Sequence, residues 1–421
     1  MLSMRSLFLA SLMAASAVIP AHAADADPAP AAKDWTILVY LNANNNLEPF
    51  SALNMNEMEV VGSNDHVNVV VEVTHRNATN TLRYLMQKDA DLHNVTSPVL
   101  ETMPHQDMGD PATLKAFIQW GMQKYPAKHY LVDIWNHGSG WEKSENDTIV
   151  RGVSYDDSTG HHINTPQLGQ VLRDVAAGRN GQKIDVISYD ACLMQMAEVA
   201  AEVADGAIYQ VASEETIPGK GWPYTEWLAQ VAQHPEWDGA GVGRSIVETY
   251  KASYSGGSHG TSGSTLSLVD LSKIGAVSAA ADAFSQAVAK ETAARPAVTQ
   301  AINATQAYAV RTHHDINDFV DQVTKRVPAQ TVADTGKALK AAVNAMVLAN
   351  GSTGANLARS NGLAIWIPTT ATPTLMSAYK ELAWAKSGTW LNFVTALCTN
   401  SPTSLRELAR AWNARVLEAI R

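Results

Sequence analysis

The chain has 421 residues, 46% of them hydrophobic and 17% charged, which allows a large buried core and excludes wholesale disorder. Its formal net charge of -10 argues against nucleic acid as the main partner, because phosphate binding needs a basic field. An acidic surface suits basic peptides, although net charge alone is a weak guide.

In chain order, Arg5 is followed by the uncharged, mainly apolar run 7–19 and then by Ala21-His22-Ala23, the three parts of a secretory signal. Residues 1–23 are therefore expected to be removed, leaving Ala24 as the mature start and 24–33 as a flexible leader. The apolar run is shorter than the ~20 residues a bilayer span needs. No later stretch is long and apolar enough either, so no stable membrane insertion is expected. Such a signal specifies export and leaves periplasmic or extracellular residence open.

Residues 35–42 (WTILVYLN) and 66–74 (HVNVVVEVT) read as buried strands rich in β-branched residues, and 81–87 as a third strand in a hairpin. Helical patterning follows over 113–125, then a strand over 129–135 that stops at Asn136-His137-Gly138-Ser139-Gly140. Residues 165–176 read as a helix with Thr165 as its cap and Pro166 at the first helical position. A strand over 183–189, a helix over 193–203, a strand over 207–213 and a loop over 214–224 come next. This alternation predicts βαβ units and an α/β fold with a mainly parallel sheet flanked by helices. In such sheets ligands sit beyond the carboxyl ends of the strands. Both His137 and Cys192 fall just past such ends.

The second half reads as helices over 241–254, 274–292, 315–327 and 331–348, interrupted by strands over 264–269 and 362–367. Ser404 with Glu407 forms a capping-box pattern that opens a last helix. No clean linker separates the halves. One sheet-centred domain with a helical C-terminal extension is the expected organisation.

The chain has two cysteines, Cys192 and Cys398, and in an oxidising compartment the plain reading of a pair is one disulfide. A different reading comes from position. With a helix expected from Leu193, Cys192 would sit at a helix N-terminus, where the dipole favours thiolate and nearby amides can hold an oxyanion. His137 lies in a Gly-flanked turn where its ring can face an open cleft. A nucleophilic thiol and a proton-donating imidazole are the two parts of a cysteine peptidase. His137 precedes Cys192 by 55 residues, close to the roughly 50-residue spacing of caspase-type enzymes.

The strings IWNHGSGW (134–141), YDACLM (189–194) and SEETIPGKGWPY (213–224) resemble the clostripain family of cysteine peptidases, as do WTILVYLNANNNLE (35–48) and NGLAIWIP (361–368). These five blocks, in order, spread over most of the mature chain. The resemblance implies a caspase-like fold, which with the pattern above gives an expected core over 34–270, a helical extension carrying one added strand over 271–400 packed on it, and a C-terminal helix over 401–421. It implies that Cys192 attacks the scissile carbonyl, passing through a thioester, and that His137 protonates the departing amine. The amides of Gly138 and Cys192 would hold the oxyanion. It also implies a preference for peptide or protein substrates with Arg or Lys before the cut bond, with Asp190 near the pocket for that side chain. Glu214 and Glu215 are further candidates to line the pocket, and Trp222 with Tyr224 to wall it. A monomer is expected.

Members of that family are often cut by themselves between the His and Cys segments. Of Lys143, Arg151, Arg173, Arg179 and Lys183, Arg151 sits in the stretch with fewest helix or strand signals. Some members need calcium, but the adjacent acids Asp156 and Asp157 lack the regular spacing of a calcium loop, and no metal is assigned. Gly256-Gly257-Ser258-His259-Gly260 matches the serine-hydrolase pattern G-x-S-x-G in the wrong context, with a helix before it and a strand after. The pairs His161-His162 and His313-His314 fit no zinc pattern and read as solvated or hydrogen-bonding residues. The alternative function is a non-catalytic exported binding protein of the same fold. A Cys192–Cys398 disulfide would favour it.

Overall fold

The computed structural model describes residues 31–142, 152–291 and 294–399. The expected signal, most of the leader, Arg151 and the expected C-terminal helix lie outside them. The first elements are β1 (Lys33–Ala43), α1 (Glu48–Val61), β2 (Val67–His75), β3 (Asn80–Leu85), β4 (Val99–Pro104), α2 (Pro111–Lys124) and β5 (Ala127–Trp135). The short strands β6 (Gly152–Val153) and β7 (Ile163–Asn164) lead into α3 (Thr165–Gly178), β8 (Ile184–Asp190), α4 (Ala197–Val203) and β9 (Ala207–Ala212). Then come α5 (Tyr224–Gln233), α6 (Gly239–Tyr254), β10 (Ser255–Gly257), β11 (Gly260–Thr261) and β12 (Ser264–Asp270). The remainder is α7 (Ile274–Lys290), α8 (Ala294–Ala304), β13 (His313–Asp315), α9 (Ile316–Arg326), α10 (Gln330–Met346), β14 (Val347–Thr353), β15 (Ala364–Trp366), α11 (Pro373–Tyr379), α12 (Ala383–Ser387) and α13 (Trp390–Cys398).

Nine strands form one sheet in the order β14-β12-β9-β8-β5-β1-β2-β3-β4. The five central strands, β9-β8-β5-β1-β2, run parallel, and an antiparallel pair extends each edge. Central strands covered on both faces must be apolar on both, and β1 shows it residue by residue. Leu38 and Tyr40 join the core under α2, α3 and α4, whereas Ile37, Val39 and Leu41 join the core under α1, α5 and α6.

Several expectations change in detail. Thr165 does not cap α3; Asn164 does, in a reciprocal capping box with Gln167. The helix expected over 193–203 begins only at Ala197. The strand expected over 362–367 pairs with β13 outside the main sheet. The main sheet instead takes β14 from the region read as extension, so the boundary at 270/271 does not separate sheet from helices. The G-x-S-x-G pattern falls on the hairpin of β10 and β11.

Candidate active site

Strands β5 and β8 are parallel neighbours, with Trp135 opposite Asp190. The two chains therefore leave the sheet at the same level, each carrying one expected residue two positions on, His137 and Cys192. The Asn136 amide donates to the Asp190 carbonyl at 3.2 Å, holding the exits together. Gly138 packs so close that a Cβ there would lie 2.5 Å from the Cys192 carbonyl oxygen. Any larger residue would push the two turns apart. Among the described residues the Gly138 amide has no protein acceptor.

Cys192 does not begin a helix. The chain from Ala191 to Met196 is a turn, fixed by bonds from Leu193 N–H to the Glu215 carbonyl (3.2 Å) and from Gln195 N–H to the Ser213 carbonyl (3.0 Å). Leu193 adopts a left-handed φ of 63°, a conformation that costs a non-glycine residue roughly 1–2 kcal/mol. The helix dipole invoked from the sequence is thus absent at the thiol. In its place, the Ile217 amide donates to Cys192 Sγ at 3.4 Å. Burial pushes the thiol above its usual pKa, opposed by the Ile217 amide and reinforced by Asp190 and Glu215. Burial pushes His137 below the usual imidazole value, opposed by Asp157. Both shifts favour an uncharged thiol beside an uncharged imidazole. His137 Nε2 lies 2.6 Å from the side-chain oxygen of Asn46, on the turn after β1.

The acidic candidates separate. Asp190 is only 5% exposed. Its Oδ2 accepts from the Trp222 amide at 2.9 Å and from the Tyr224 hydroxyl at 3.2 Å. Gly221, at φ +69°, lies over it with no room for a side chain: a Cβ would sit 2.5 Å from that oxygen. The Tyr224 hydroxyl also donates to Asp133 at 2.7 Å, joining two buried carboxylates. Burial and the charge of Asp133 hold Asp190 well above the usual carboxylate range, and burial pushes Asp133 up to about 6.

Glu214 is fully enclosed rather than part of a pocket wall. It accepts from the Tyr308 hydroxyl (2.7 Å) and the Gly362 amide (3.2 Å), and burial together with Asp315 pushes it upward. Glu215 is partly exposed and accepts from the Ala309 amide at 3.1 Å. Trp222 is 0% exposed and packs with Tyr224 and Trp227, so it forms core and not a substrate wall.

Two clefts border the neighbouring turns. One, of about 470 Å³, is lined by Asn46, His137, Gly138, Ser139 and Asp157 among others. The other, of about 840 Å³, is lined by Glu215, Thr216, Gln306, Arg311 and His314 among others, and Thr216 precedes the Ile217 amide that touches the thiol. Sequence reasoning missed Asn46, Asp133 and Ile217. The Asn run before Glu48 was a signal for the first; the others act through backbone or tertiary position.

The remaining candidates resolve into structural parts. Asp156 is occupied by protein donors: the Asn44 amide at 2.7 Å and Ser158 at 2.7 Å on Oδ1, and the Met108 amide at 3.1 Å on Oδ2. His161 pairs with Asp107 at 2.5 Å, and His162 stacks on Tyr155 at 4.9 Å. His313 lies 3.1 Å from Glu142, and Asp315 caps α9. Both cysteines are free thiols, which removes the disulfide that favoured a binding protein.

With this geometry in hand, comparison with known proteins identifies the lineage. The sequence profile of the clostripain family matches residues 39–397. Clostripain of Hathewaya histolytica is 28% identical over 216 residues, covering 45% of this chain and 40% of that protein, so the match spans about two fifths of the relative's length. A secreted C11 cysteine protease from Bacteroides thetaiotaomicron, solved with an irreversible peptide inhibitor, superposes with a TM-score of 0.65 at 22% identity, covering 85% of this chain and 99% of that one. An inactive zymogen C11 protease from Parabacteroides distasonis does so with a TM-score of 0.65 at 21% identity, over the same shares. The expected caspase-like architecture, a mainly parallel sheet between helical layers, is the fold they share, and by the match across most of its length this chain belongs to the clostripain family.

Proposed function

We propose that the protein is an exported cysteine endopeptidase that cuts after Arg or Lys, with Cys192 as nucleophile and His137 as its acid/base partner. The observation that carries the reading is the register of β5 and β8, which brings the His137 and Cys192 turns off the sheet together, tied through Gly138. His137 takes the thiol proton as Sγ bonds to the scissile carbonyl carbon. The carbonyl oxygen becomes an oxyanion, for which the unpartnered Gly138 amide and the Cys192 amide are the proposed donors. The C–N bond then breaks, the amine leaves with the proton held by His137, and a thioester remains. Water, giving a proton to His137, hydrolyses the thioester and restores the thiol.

Substrate recognition is proposed to rest on Asp190 and Glu215. A basic side chain would gain charge-assisted hydrogen bonds from either. Glu215 already borders a cleft, whereas Asp190 becomes reachable through its second oxygen or by displacement of the loop over it. Self-processing after Arg151 belongs to the same reading, supported by the existence of an inactive zymogen among the similar structures. Export is supported by the signal pattern in 1–23 and by a similar structure described as secreted.

The test is hydrolysis of fluorogenic peptides ending in Arg, Lys, Asp or Leu by the mature protein and by Cys192→Ala, under reducing conditions with and without calcium. Cleavage after Arg or Lys that disappears in the variant is expected. Intact masses of the same preparations are expected to show a break after Arg151 only where Cys192 is present. Cleavage that survives in Cys192→Ala would overturn the nucleophile, and cleavage only after Asp or Leu the specificity.

A further inference from the structure

The end of β1 and the turn after it read Leu41-Asn42-Ala43-Asn44-Asn45-Asn46, and their asparagines divide into two kinds. Asn42 donates to the Ser154 hydroxyl (3.1 Å) and the Tyr155 carbonyl (3.0 Å). Asn44 donates to Asp156 (2.7 Å) and Ser158 (2.8 Å), and its carbonyl accepts from the Asp157 amide (2.9 Å). Asn45 donates to the Tyr155 carbonyl (3.0 Å) and accepts from the Leu47 amide (2.8 Å). Asn136, next to His137, completes the lattice: it donates to the Asn42 carbonyl (2.6 Å) and accepts from the Tyr155 amide (2.6 Å). Asn42, Asn44, Asn45 and Asn136 are all buried, so these bonds satisfy polar groups that water cannot reach.

Asn46 is the exception. It is exposed, and among the described residues its side chain makes one bond, to His137 Nε2 at 2.6 Å. An exposed amide on a half-buried ring loses little by turning to water, so stability does not call for this contact. What the lattice does is hold the Asn46 backbone on both sides and the His137 turn on the other, so that acceptor and ring meet in one geometry. With Nε2–H donating to Asn46, the other ring nitrogen, Nδ1, is the one left to exchange a proton with the thiol.

We propose that Asn46 is a positioning residue for His137, a third member of the site that fixes which ring nitrogen serves the thiol. The inference rests on the peptidase reading for its kinetic consequence but not for the hydrogen bond itself. The other titratable groups lining the same cleft are Asp156 and Asp157 from the loop after β6, with His161 and His162, and the charge of Asp157 raises the His137 pKa against burial. Nε2 itself meets the Asn46 oxygen, so changes at Asn46 read this contact.

The experiment compares wild type, Asn46→Ala and Asn46→Asp by the pH profile of kcat/KM and by NMR titration of the His137 ring. Asn46→Ala is expected to lower kcat about 10–100-fold with KM nearly unchanged, and to move the His137 titration to lower pH. Asn46→Asp keeps the acceptor and adds a charge, so it is expected to recover much of the rate and move the titration to higher pH. Opposite shifts from two substitutions at one exposed site are not what unfolding produces. Equal His137 titrations in all three proteins would overturn the proposal, as would an Asn46→Ala enzyme with wild-type kcat and profile. If Cys192→Ala kept the activity, the peptidase reading would fall, while the ring titrations would still decide the role of Asn46.

Discussion

Replacing His137 with Ala is expected to lower kcat/KM on peptides ending in Arg by about 10³-fold at neutral pH, within the usual range for loss of a general acid–base group. The site is built to make that loss large. Burial raises the thiol and lowers the imidazole, so at rest neither is charged, and no preformed thiolate waits for substrate. The imidazole must remove the thiol proton during attack. The pH profile of the wild type follows with a defined sign. Protonating His137 removes the base, so the acidic limb lies below the usual imidazole value of ~6.5. Ionising Cys192 in the free enzyme removes the proton His137 must deliver, so the alkaline limb lies above the usual thiol value of ~8.5. In His137→Ala the acidic limb is expected to vanish, and the residual rate to climb with pH as thiolate forms. A variant with the wild-type bell shape and only a lowered plateau would argue against this role.

Asp190→Asn is expected to lower kcat/KM for Arg-ending peptides by about 10³-fold relative to Leu-ending ones, the scale for removing one partner of a desolvated charge pair. Burial and the charge of Asp133, with which it shares the Tyr224 hydroxyl, hold the unliganded carboxylate well above the usual carboxylate range. A guanidinium arriving at its other oxygen would favour the charged form, so binding should tighten as pH rises above the usual carboxylate range. Glu215→Gln, altering a partly exposed acid, is expected to change the same ratio only a few-fold. Kinetics on the paired substrates decide between them. A larger loss from Glu215→Gln would move recognition to the 840 Å³ cleft.

The parallel core was legible because β-branched runs such as 67–73 can only be strands buried on both faces. The placing of His137 and Cys192 past strand ends was legible, whereas the register that makes β5 and β8 level neighbours was not. What escaped were features set by partners far along the chain. Helix α1 buries Ser51, Asn54, Asn56 and Glu59, which hide its apolar periodicity. Residues 193–196 have good helix formers, but ladder bonds to Ser213, Glu215 and Ala364 override propensity and hold the thiol in a turn. β14 follows α10 without a break in apolar character, so its strand identity comes from pairing with β12. Glu214 read as a pocket acid because Tyr308 and Gly362, the groups that enclose it, lie 94 and 148 residues away. The Asn46–His137 contact spans 91 residues and has no local signature.

The most direct measurement is to treat the mature protein with an irreversible peptidyl electrophile ending in Arg, and to locate the adduct by mass spectrometry. One adduct per chain is expected, on Cys192, formed in step with loss of hydrolysis and absent when a Leu-ending analogue is used at the same concentration. Burial holds the Cys398 thiol up to about 11, so it should stay unmodified at neutral pH. An adduct on Cys398, or complete inactivation with Cys192 unmodified, would rule out Cys192 as the nucleophile.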